Sequence, residues 1–156
     1  MMDNRLRLRD FGICLIVLTL LDVFTSVSTL LAGYFNGMFD RAFAGVDATV
    51  ISATKVVMGV MLAFWAILIV AQILIALNGI KNSNNPTANK GYITAAKVFF
   101  ALNLLGAISY FVSMFNMNAE TAFDIVLAFA SAACNVAAYA YFIKYANAVR
   151  NETLRG

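Results

Sequence analysis

The stretch FGICLIVLTLLDVFTSVSTLLAGY, Phe11–Tyr34, decides the class of this chain. It is apolar throughout except for a few hydroxyls and one carboxylate, Asp22. A helix needs about 20 mostly apolar residues to cross the hydrocarbon of a bilayer. Three further stretches meet that length, Val56–Leu77, Tyr92–Phe115 and about Thr121–Tyr145. What remains is short tails and three loops, too little for a water-soluble domain. Residues 1–156 therefore read as a single membrane domain, an all-α integral membrane four-helix bundle, antiparallel and up-down-up-down.

Composition supports the same reading. The 156 residues are 62% hydrophobic and 12% charged, against roughly 45–50% and about 25% in soluble domains. The chain has no histidine and two cysteines. Ser-His-Asp and Cys-His catalysis are thereby removed, and zinc loses its commonest nitrogen ligand. Acidic pairs with catalytic spacing, phosphate-binding loops and a basic stripe for nucleic acid are missing too. The expectation is a protein without enzymatic activity, cofactor, metal or nucleic-acid partner. Cys14 and Cys134 fall at different depths and form no CxxC pair. They carry no redox role, Trp65 reads as a packing residue, and Phe99 and Phe100 read as packing or lipid contacts.

Arg5, Arg7 and Arg9 precede span 1, as in a signal peptide, but the apolar run is longer than an h-region and holds Asp22. The segment reads as a retained helix. Lysine and arginine set its direction. Nine of the 11 basic residues (Arg5, Arg7, Arg9, Lys81, Lys90, Lys97, Lys144, Arg150 and Arg155) fall on one side, and Arg41 and Lys55 on the other. Both termini are expected in the cytoplasm, and the location is a multi-pass inner-membrane one.

Boundary residues add detail. Asn78 and Gly79 read as the end of span 2, with NGIKNSNNPTANKG as a turn-rich connection. Asp47 can begin helix 2 early, leaving Lys55 to snorkel outward. Asn118 and Glu120 suit the start of span 4. Phe35, Phe39 and Phe43, four residues apart, predict one face of a short external helix. Tyr34 at the outer boundary, and Tyr92 and Tyr145 at the inner one, predict aromatic belts. Leu18–Leu21 and Phe39-Asp40 are echoed by Leu102–Leu105 and Phe123-Asp124, a weak sign of a duplicated hairpin.

Asp22 is the most informative residue. It lies about 17 Å into span 1, where an aspartate costs roughly 2.5–3.5 kcal/mol on insertion scales. Thr19, Ser26 and Thr29 share its helical stripe. Asn103 and Asn135 match its depth, whereas Gln72 and Lys97 lie nearer the cytoplasm. The preferred arrangement is a protonated Asp22 hydrogen-bonded to the two asparagines, since burial in lipid favours the neutral acid. Three roles stay open: a structural clasp, a proton- or cation-coupled transport site, and a contact with another membrane protein. Ala128, Ala132, Ala133 and Ala137 give span 4 small-residue spacing for close helix packing, either centrally in the bundle or against a second copy.

Gly79-Ile80-Lys81, then Asn84-Asn85-Pro86 and a new span, resembles the link between the second and third helices of uncharacterised bacterial four-span membrane proteins. The resemblance covers about 30 residues directly and implies a bacterial inner-membrane protein, with no activity attached. The acidic residue in span 1 is also similar to small multidrug-resistance transporters, though these are shorter, use glutamate there and have tighter loops.

Overall fold

The computed structural model describes residues 2–116 and 122–155. Four long helices form, α1 (Met2–Phe35), α3 (Ala48–Asn84), α4 (Gly91–Ser113) and α5 (Ala122–Arg155), with a short α2 (Met38–Ala42) and a 3₁₀ turn (Met114–Asn116). All four are long and apolar enough to cross a membrane. The expected cap residues Asn118 and Glu120, and Thr121 at the start of span 4, lie outside the described residues.

The helices overrun the expected spans because polar groups extend their ends. Asp3 stands in the first turn of α1 and pairs with Arg7 one turn on, at 3.0 Å, favourable both for the helix dipole and as an i,i+4 pair. Asp47 caps α3 as expected. Its Oδ1 accepts from the Thr49 amide at 2.7 Å and from the Thr49 hydroxyl. These bonds hold the Asp47 carboxyl below its ordinary value of 3.8. A depressed carboxyl stabilises the fold above its unfolded pKa and loses that contribution as pH falls through the folded value. Asp47→Ala should thus lower amide protection over residues 49–51 at neutral pH. Acidification below about pH 4 should lower it in the parent protein and leave the variant almost unchanged.

The expected stop at Asn78 and Gly79 is corrected by the structure, since α3 runs on to Asn84. Asn82 Nδ2 donates to the Asn78 carbonyl at 2.8 Å, and Asn82 Oδ1 accepts from the Thr87 amide at 3.2 Å. Asn82 and Ser83 are both buried. Residues typical of turns are helical here because their side chains close the helix end and hold the following loop. The phenylalanine spacing also fails to make one helical face. Phe35 ends α1, Phe43 follows Ala42, and only Phe39 belongs to α2. Gly37 and Gly45, at φ 64° and 76°, bracket that helix with left-handed turns that favour glycine.

Residues group into two compact units, Met1–Leu18 with Gln72–Gly156, and Thr19–Ala71. The first unit is a four-helix bundle built from the start of α1, the end of α3, α4 and α5. Its core holds Leu8, Leu15, Ala76, Ala96, Tyr139, Phe142, Ala146 and Val149. Along α5 the buried residues Ala132, Asn135, Tyr139, Phe142, Ala146 and Val149 recur alternately at three and four residues, the spacing of a coiled-coil seam. Gly79 of α3 carries no Cβ where Phe142 and Leu8 close in, and Gly12 of α1 lies against Ala76 and Ile80. Ring pairs join α4 to α5, Tyr92 with Phe142 at 6.1 Å, Phe99 with Tyr139 at 6.2 Å and Phe111 with Phe129 at 6.0 Å.

The second unit comprises the rest of α1, α2 and the start of α3. Among its described side chains only Thr19 and Gly33 are buried. Phe24, Val56, Val60, Met61, Phe64 and Ile67 are all exposed.

Candidate functional site

The polar stripe of span 1 lies in the second unit. Thr19 is buried, and Asp22 and Ser26 are half-buried; Thr19 and Asp22 are each engaged in an interaction. Farther along, Thr25 Oγ1 donates to the Leu21 carbonyl and Thr29 Oγ1 to the Thr25 carbonyl, both at 2.9 Å. Such back-bonding satisfies a hydroxyl within its own helix and makes the stripe less polar than its sequence. Thr25, Ser26, Thr29 and Leu30 face Leu62 and Trp65 across an open groove of about 390 Å³. Trp65 therefore lines a groove where the sequence suggested simple packing.

The asparagines belong to the first unit. Asn135 is buried, and its Nδ2 donates to the Ser131 carbonyl at 3.2 Å. Asn103 is half-buried and donates to the Phe99 carbonyl at 2.9 Å. Each amide thus returns a donor to its own helix. Asn135 and Gln72 also take part in further interactions. Lys97 is exposed.

Ala132 is buried, Ala128 and Ala133 are half-buried, and Ala137 is exposed. The buried alanines of α5 are Ala132, Ala138 and Ala146. The seam follows the three-four alternation that keeps one face inward, which a strict four-residue spacing gradually leaves.

A second polar cluster joins the start of α1 to the end of α5. Asn4 Nδ2 donates to Glu152 Oε1 at 2.8 Å, and Arg7 Nη1 donates to the Tyr145 hydroxyl at 2.9 Å. Phe11 stacks on Tyr141 at 5.1 Å and on Tyr145 at 5.7 Å. Arg7 Cζ lies 5.6 Å from the Tyr145 ring centre, and Lys144 Nζ 5.6 Å from the same ring and 6.0 Å from that of Tyr141. Arg5 Nε and Glu152 Oε2 are buried and make no hydrogen bond among the described residues.

Sequence reasoning missed this cluster. Counting positive charges gives a direction across the membrane and treats Arg5, Arg7 and Lys144 as equivalent. The clue was the shared level of Arg7 and Tyr145, both at an apolar boundary. The inner aromatic belt is likewise corrected, because Tyr92 and Tyr145 are buried within the bundle. Their rings pack against Phe142 and Phe11. Tyr34 at the other boundary is exposed.

The first unit thus defines an all-α four-helix bundle whose helices are tied by hydrogen bonds and ring contacts. No family model, curated protein or solved structure matches this chain.

Proposed function

We propose that this is a four-span integral membrane protein that acts through helix packing, as a structural, accessory or regulatory component without enzymatic activity. Its helices alternate up-down-up-down with both termini cytoplasmic, and its bilayer is a bacterial inner membrane. The observation carrying this reading is the small burial of the apolar helices, between 11% and 22% of each spanning window. Water would leave that surface uncovered, whereas hydrocarbon solvates it. Contact pairs from the first unit support the alternation. Leu8 meets Gly79 while Gly12 meets Ala76, and Tyr92 meets Phe142 while Phe111 meets Phe129. Partner numbers fall as residue numbers rise.

In this reading Asp22 belongs to a structural clasp that fixes how α1 is oriented. The partner is the bilayer itself, with a second copy or another membrane protein against the exposed faces. The groove lined by Thr25, Ser26 and Thr29 favours one alternative, a small proton- or cation-coupled transporter or channel centred on Asp22. Substitution separates the two. For a clasp, Asp22→Asn keeps stability and phenotype, while Asp22→Leu loses about 0.6–1.7 kcal/mol for each interhelical bond removed. For a transporter, Asp22→Asn abolishes the pH dependence of uptake into proteoliposomes. Thermal unfolding in detergent and an uptake assay read the two outcomes. A silent Asp22→Leu in both would remove the residue from either role.

A further inference from the structure

Lys144 has no carboxylate within ion-pair distance among the described residues, and its side chain is exposed. Its ammonium lies against two tyrosine rings, an arrangement that holds a cation in place without neutralising it. Tyr141 is 48% exposed, so one of those rings offers an apolar wall and a hydroxyl at the surface. Arg7 stands on the same cluster, its side chain 52% exposed and its Nε paired with Asp3. From Tyr141 the exposed face of α5 continues through Ala137, Cys134 and Ala130, small side chains that leave room along the helix. Cation, hydroxyl and apolar track follow one another in the order of a phospholipid's headgroup, glycerol and acyl chain.

We propose that Lys144, with Arg7 and Tyr141, forms an interfacial site for the phosphodiester headgroup of an anionic phospholipid, whose acyl chain runs along α5. The proposal rests on the membrane reading above. Basic groups near a membrane surface attract anionic lipid; the aromatic seating of Lys144 makes this attraction local rather than spread over every exposed lysine.

The test uses the full chain in nanodiscs of equal phosphatidylglycerol and phosphatidylcholine, followed by native mass spectrometry of the lipid retained. Phosphatidylglycerol should be retained over phosphatidylcholine, and Lys144→Gln should reduce that preference about fivefold. Lys144→Arg should keep it. Lys97→Gln, which removes another exposed cation, should leave it unchanged. Equal losses from Lys97→Gln and Lys144→Gln would overturn the site in favour of diffuse attraction. So would displacement of the lipid by excess inorganic phosphate, since the ligand would then be the free anion. A chain that stays soluble without detergent would refute the membrane reading and this proposal together. A chain that needs detergent but shows no phosphatidylglycerol preference would refute this proposal alone.

Discussion

Gly79→Ala is expected to destabilise the protein, although alanine is the better helix former. A Cβ at Gly79 would overlap the Cε2 and Cζ atoms of Phe142. The ring cannot swing aside into open space, because Phe142 is 0% exposed and Tyr92 lies edge-on to it. Helix propensity favours alanine by about 1 kcal/mol, and overpacking a tight core costs roughly 1–3 kcal/mol. The net loss should be up to about 2 kcal/mol. Gly79→Leu, with three more carbons in the same space, should prevent the bundle from forming. Thermal unfolding in detergent measures the first effect. Adding Phe142→Leu to Gly79→Ala should return part of the loss, the coupling expected of residues in direct contact. A Gly79→Ala protein as stable as the parent would show that the α3–α5 approach is looser than described.

Phe142→Ala should have the second large effect, by the opposite mechanism. The ring fills the space between Gly79 of α3 and Tyr92 of α4. Phe→Ala in soluble cores costs about 3–5 kcal/mol. In a bilayer the transfer part is smaller, because an unpacked ring moves into lipid rather than water; lost dispersion contacts and the cavity remain. A loss of roughly 2–3 kcal/mol is expected. Phe24→Ala is the control. Phe24 is 71% exposed on α1, and its truncation should shift stability by less than about 0.5 kcal/mol. Similar losses from both truncations would mean that the buried seam of α5 does not hold the bundle together.

Phe24 and Phe142 also mark how far the sequence can be read. Both sit in apolar helical runs, and hydropathy does not distinguish them. In a soluble amphipathic helix the apolar stripe names the buried face. Here exposed and buried positions are both apolar, so periodicity carries little signal. Gly79 shows the same limit from the other side. A glycine beside asparagines has the local chemistry of a helix end, yet here it is a point of close contact within α3. Asp47 was legible because a cap is local, made with a residue two positions away. The Asn4–Glu152 and Arg7–Tyr145 bonds were not, because their partners lie 148 and 138 residues apart.

Sequence alone was enough for four long apolar helices, their order along the chain and the Asp47 cap. These follow from length, composition and neighbours within one or two turns. Tertiary structure decided that Ala132, Ala138 and Ala146 pack inward while Ala137 faces out, that Tyr92 and Tyr145 are buried, and that Lys144 rests on Tyr141 and Tyr145. In the proposed bilayer the physical reason is that hydrocarbon and protein interior solvate apolar side chains almost equally well. The inward face is then selected by shape and by scattered hydrogen bonds, which exist only once the helices have met.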